Sequence, residues 1–144
     1  MLLSTSPMTD LEQDIAELLN IHTRDRQAHF ATDVQAAISF FDNSYVYVRD
    51  GSIQRLSPAD LEPIYTDYFR GATFHEWDDL EPPIIHVSDD GSMAWMIRRF
   101  RIRFTKQEGG QATEHTSIYA GMTIYEKKEG RWLRVANTTT FAEK

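Results

Sequence analysis

The sequence predicts an α+β fold in which three N-terminal helices pack on the concave side of a strongly curved, mainly antiparallel sheet. Helical patterning occupies the first half of the chain and strand patterning the second, a segregation that argues against a wound βαβ sheet. Asp50-Gly51, Asp90-Gly91, Gly109-Gly110 and Glu129-Gly130 mark turns between strands. The last three strands are much longer than the usual five or six residues, and long strands curl, so their concave face must be filled.

Each element has a local reason. Thr9 and Glu12 have capping-box spacing and open the first helix. Leu11, Ile15 and Leu18 set one face at helical period, which continues through His22, Asp25 and His29 to an end near Ala31. Asp33 caps a short second helix carrying Val34, Ala37, Ile38 and Phe41. Asp42-Asn43 reads as a turn, and Tyr45 to Val48 as a strand. Ser57-Pro58 is an N-cap with proline at the first helical position, so a third helix follows, with Leu61, Ile64, Tyr65 and Tyr68 as its buried stripe and Gly71 as its stop. Strands are predicted over 74–80, 84–88, 93–105, 113–126 and 131–141, with Pro82-Pro83 forcing a bend or bulge because proline cannot serve a central ladder.

Composition bounds the function. The 144 residues make about one domain, read as residues 9–144 after a flexible segment over 1–8. At 41% hydrophobic the chain can fill a core. With 15 Lys+Arg against 22 Asp+Glu the net charge is −7, which argues against nucleic-acid and anionic-membrane binding. No apolar run nears the ~18 residues of a spanning helix, and the first residues lack the basic and apolar regions of a signal peptide, so a cytoplasmic protein is expected. The absence of cysteine excludes disulfides, thiolate catalysis and Cys–zinc sites. The histidines at 22, 29, 75, 86 and 115 lack metal-binding spacing, and no metal or cofactor is expected.

The order helix, short helix, strand, helix, long antiparallel strands resembles the nuclear-transport-factor-2-like fold, a cystatin-like cone around a pocket. The resemblance runs from Thr9 to Phe141. Ala28 and Asp33 with Phe41 and its following Asp are similar to the family's first helical hairpin, Val48-Arg49-Asp50-Gly51 to its first strand and turn, and Gly130-Arg131-Trp132 to the approach to the last strand in SnoaL-like and DUF4440-type members. The resemblance implies a homodimer and a small-molecule pocket, with isomerase, cyclase or hydratase activity of the SnoaL-like kind; the alternative is a non-catalytic interaction or scaffold domain. The isomerase-like pattern places its catalytic tyrosine, general-base aspartate and protonated aspartate at Asp25, Arg49 and Gly121, none of which is the required residue type. The histidines of the DUF4440-type final strand are likewise missing, since Ala136, Asn137 and Thr138 stand there.

The residues suggest a different site. The first helix changes from apolar to polar at His22, Asp25 and His29, so its second half should face a polar cavity or solvent. Asp25 and His29 are four residues apart and can meet, an arrangement that fixes an imidazole as a general base. Arg98 alternates with Met96, Phe100 and Ile102 on an apolar strand face, where it needs a buried acid or an anionic ligand. Tyr45 and Tyr47 share one strand face and Tyr119 lies on another; apolar bodies with polar tips suit ring-shaped ligands. The expected site is therefore His29 with Asp25 for catalysis, and His22, Tyr45, Tyr47, Arg98 and Tyr119 for a small hydrophobic or aromatic molecule, whose anionic group, if it has one, is a carboxylate or a phosphate on Arg98. The outer sheet face is expected to form the dimer contact, because Trp95, Tyr125 and Leu133 cannot all point inward.

Overall fold

The computed structural model describes residues 8–142, so the segment read as a flexible terminus lies outside the described residues except for Met8. Thr9 accepts the Glu12 amide and caps α1, Asp10–Ala31. Asp33 accepts the Ala36 amide and caps α2, Val34–Ile38. β1, Phe41–Arg49, starts at the expected turn: Asp42-Asn43 lies inside the strand, where its register against the last strand shifts. An unforeseen strand, β2, Ser52–Leu56, completes a hairpin through Gly51, whose φ of 77° favours glycine. A reciprocal capping box of Ser57 and Asp60 opens α3, Pro58–Phe69.

β3, Ala72–Asp79, and β4, Ile84–Val87, both pair antiparallel with β5, Met93–Glu108. Pro82-Pro83 falls in the gap between them, at the sheet edge, where the missing N–H groups break no ladder. β6, Gln111–Lys128, and β7, Arg131–Phe141, complete a meander. The seven-stranded sheet has the order β2-β1-β7-β6-β5-β3, with β4 alongside β5. β1 and β7 run parallel and the other pairs antiparallel, so the sheet is mixed.

The helices cover the inner sheet face. Ala94, Met96, Arg98, Phe100 and Ile102 of β5 are all buried, a strict period of two. The buried stripe of α1 is not the one the apolar residues suggest. Leu11 is 53% exposed, while Asp14 is buried and accepts the Trp132 indole N–H at 3.0 Å and the Lys127 ammonium at 2.6 Å. Farther along, Arg26 donates to the Trp77 carbonyl and to Asp78. Polar contacts thus fasten α1 to the strands at both ends, with Leu18 and Ile21 packed between them. In α3, Leu61 and Phe69 are buried and Ile64 is half exposed, so the stripe runs through Leu61, Tyr65, Tyr68 and Phe69.

Candidate functional site

A cavity of about 450 Å³ lies between the inner sheet face, α1 and α3. Its rim includes the exposed Arg49, Gln54 and Ile64, and its floor the buried Asp25, His29, Arg98 and Arg134. The second half of α1 therefore supplies the floor. Apolar and aromatic walls from Tyr45, Leu61, Tyr65 and Phe100 stand between. The volume falls within the range of small-ligand sites, roughly 300–1,000 Å³.

Asp25 organises the floor. Its Oδ2 lies 3.4 Å from Arg134 Nη2 and 3.8 Å from Arg98 Nη1. Burial opposes its charge, but Arg134, His29 and Arg98 together hold its carboxyl below the usual value. Arg134 Nη2 also donates to the Tyr125 hydroxyl at 3.0 Å, and its guanidinium lies over the rings of Phe40 and Phe41. Arg98 is less engaged: its best hydrogen bond, to Thr123 Oγ1, is 3.4 Å long. Burial and then the charge of Arg134 pull the Arg98 guanidinium below its ordinary pKa. Neither Arg98 Nε nor Arg134 Nε has a hydrogen-bond partner.

His29 is boxed by the rings of Phe69, Phe74, Trp77 and Tyr68, with centroids 5.2–5.7 Å away. Burial lowers its pKa, against the pull of Asp25, which favours the neutral ring. Its Nδ1 lies 2.7 Å from the Asp25 carbonyl oxygen. A carbonyl can only accept, so Nδ1 carries the proton and Nε2 the lone pair. The contact that fixes the tautomer is thus the backbone of Asp25; the carboxylate Oδ1 stands farther off, at 3.4 Å.

The structure brings six of the seven singled-out residues to one cavity: Asp25, His29, Tyr45, Tyr47, Arg98 and Tyr119. Tyr47 bonds Thr139 at 2.6 Å, Tyr119 stacks on Phe100, and burial pushes the Tyr45 hydroxyl up to about 12. His22 is the exception. It lies outside the cavity lining, and its Nε2–H donates to both Asp79 oxygens at 2.9 Å, so it joins α1 to β3. Arg134 and Tyr65 were not foreseen. Tyr65 belonged to an expected helical stripe, but nothing in its spacing distinguished a cavity wall from core. The isomerase-like acid position, Gly121, is a close backbone approach: a Cβ there would meet the Thr138 carbonyl oxygen at 2.6 Å.

No family model matches the sequence, and no curated protein does either. Solved structures do match. An Exiguobacterium sibiricum protein assigned as a Ca/calmodulin-dependent kinase II association domain superposes with a TM-score of 0.73 at 9% identity, over 98% of this chain and 99% of that one. A ketosteroid isomerase-like protein from Erwinia carotovora atroseptica gives 0.69 at 16% identity, over 92% and 98% of the two chains. An NTF2-like protein with a cystatin-like fold from Novosphingobium aromaticivorans gives 0.66 at 15%, over 92% and 84%. These likenesses establish the NTF2-like architecture; one fold carries many functions, so chemistry must be argued from the site. Among the described residues, no helix is long and apolar enough to cross a membrane, and no group of three or more His, Asp or Glu is placed to hold a metal ion.

Proposed function

We propose that this NTF2-like protein binds a small hydrophobic or aromatic molecule in its tyrosine-walled cavity and performs acid–base chemistry on it, with His29 as the base. The observation that carries the reading is the hydrogen bond that fixes the His29 tautomer at the floor of the cavity. A neutral imidazole with its lone pair at Nε2 is ready to take a proton at neutral pH. Asp25 orients the ring through its backbone carbonyl, and Tyr45, Tyr47 and Tyr119 offer ring faces and hydroxyls to the ligand. Proton transfer of this kind needs no cofactor, within one substrate for an isomerase or cyclase and with water as the second reactant for a hydratase, the SnoaL-like kinds of activity that the site suits.

Two measurements test this reading. Calorimetry with 2-naphthol, a neutral aromatic probe, should give saturable binding to the wild type and none to Leu61→Trp, which fills the cavity. Long-range ¹⁵N–¹H spectra should show His29 neutral at pH 7 with the proton on Nδ1. A proton on Nε2, or an imidazolium, would remove the base from the scheme.

The outer sheet face favours a homodimer in addition. Two adjacent cross-strand rows run over it: His86, Trp95, Ile124, Ala136 and Val46, and beside them Ile84, Ile97, Met122, Thr138, Val48 and Ile53. Ile53 is 68% exposed and Ile84 50%. A broad apolar face of this kind marks a partner surface, and a second copy supplies a matching one about a two-fold axis. Of the residues expected to force the question, Tyr125 is fully buried inside, while Trp95 and Leu133 are partly exposed on the outer face.

A further inference from the structure

We infer that the ligand carries a single carboxylate seated on Arg98 and Arg134, and that Arg98 is the residue that selects it. The inference rests on the cavity reading above and gives it a substrate class.

Asp25 is the only acid among the described residues that line the cavity. Two guanidiniums share it, one oxygen serving both. Burial among the rings of Phe69, Phe74 and Trp77 favours the uncharged form of His29, which adds no charge to the count. Arg49, the remaining cation of the lining, is at the exposed rim with Asp50 at 2.9 Å and the Phe141 ring beneath it. Asp79 lies outside the cavity, held by His22. The floor therefore holds one positive charge in excess, on side chains only 3–4% exposed. An uncompensated buried cation is costly, and a protein without a use for it would supply a second acid or dispense with one arginine.

Geometry agrees with the count. Both Nε–H groups and Asp25 Oδ1 lack hydrogen-bond partners, and the longest contact of the cluster, 3.8 Å to Asp25, belongs to Arg98, whose hydrogen bond to Thr123 is 3.4 Å long. Arg134 is engaged by Tyr125, Phe40 and Phe41, which fixes it in place. One arginine is anchored and the other has donors to spare, a fork that a planar carboxylate fits. One negative charge neutralises the floor, whereas a dianionic phosphate would overshoot it. The body of the ligand then lies against Tyr45, Phe100 and Leu61, and its carbon skeleton comes under His29.

The test compares isosteres. By calorimetry, 2-naphthoate should bind wild-type protein at least about tenfold more tightly than 2-naphthamide, and more tightly than 2-naphthyl phosphate. In Arg98→Met the acid-to-amide preference should fall toward one. The same variant, without ligand, should melt about 2–4 °C higher than wild type, the shift that roughly 1 kcal/mol produces in a domain near this size, because the excess charge is gone. Arg98→Lys retains charge without the fork and should keep a reduced preference. If the amide binds the wild type as well as the acid, the carboxylate assignment fails and the cavity reading stands. Preference for the phosphate also overturns the assignment. If none of the three probes binds, both fail. An Arg98→Met protein that melts several degrees lower, or does not fold, would make Arg98 a structural partner of Asp25 and overturn the inference.

Discussion

Asp25→Asn isolates the one anion of the cavity floor. The substitution keeps the shape of the side chain and removes the charge that two buried guanidiniums share. Removing one partner of a buried ion pair costs about 3–5 kcal/mol, because the remaining charge is left uncompensated. Here two charges are left, and the asparagine N–H₂ can donate only to groups that are already donors, so the upper part of that range is expected. Against a total stability of roughly 5–15 kcal/mol this is a large fraction, and it corresponds to a melting temperature lower by about 10 °C or more. Urea unfolding followed by tryptophan fluorescence reads the loss, since Trp77 lines the same cavity. The Asp25 carboxyl is held below its ordinary value of 3.8, so its contribution is complete above that value and is lost only as pH falls through the lower, folded value. Between pH 7 and 5, then, the Asp25→Asn deficit should not itself change. Adding Arg98→Met to Asp25→Asn should recover part of the loss by removing one stranded cation. A deficit under about 1 kcal/mol would refute the charge accounting, since it would mean that water already screens the floor.

Three further outcomes follow from the same contacts. Burial, the leading cause in each case, lowers the pKa of His22 and His29, so the unfolded chain binds protons that the folded one refuses. Their stabilising contribution is complete above the ordinary value of 6.5 and declines as pH drops toward the folded values, by up to about 1.4 kcal/mol per pH unit for each histidine; urea midpoints that stay flat from pH 7 to 5 would contradict this. His29→Ala should abolish turnover but also destabilise by about 2–4 kcal/mol, as truncation among buried rings does, so His29→Gln is the better probe of the base; equal urea midpoints for His29→Ala and wild type would contradict the ring packing. Ile97→Glu places a charge in the middle of the outer apolar face, and sedimentation equilibrium should register a shift from dimer to monomer; an unchanged mass would move the interface elsewhere.

The fold was legible because its signals are local. Thr9, Asp33 and Ser57 each satisfy a helix N-terminus through a contact three residues away, and the sequence displays that spacing directly. β2 was not visible because Ser52–Leu56 is an exposed edge hairpin whose partner, β1, defines it. The candidate site was half legible, for a similar reason. Arg98 shows itself because β5 keeps a strict alternation, so an arginine among Met96, Phe100 and Ile102 stands out. His22 misled because a polar residue on a buried stripe can face either a cavity or a partner on another strand, and the partner, Asp79, is fifty-seven residues away.

Arg134 shows where alternation gives the wrong answer. Counting back by twos from Phe141, the inward positions of β7 are Thr139, Asn137 and then Val135, which turns Arg134 outward. The ladder disagrees: Asn137 pairs with Thr123 and Ala136 with Ile124, but Tyr125 pairs with Arg134. Val135 is the extra residue of a β-bulge, and beyond it the parity reverses, so Arg134 and Trp132 enter the interior. One inserted residue thus moves a cation from the outer face to the cavity floor and, two positions on, points the Trp132 indole at Asp14. A bulge that delivers a structural tryptophan and the anchored arginine of the cavity floor together ties the site to the fold. The Asp14–Trp132 contact holds α1 in the register that also presents Asp25 to Arg134, so a chain lacking the bulge would lose the clamp and the floor at once.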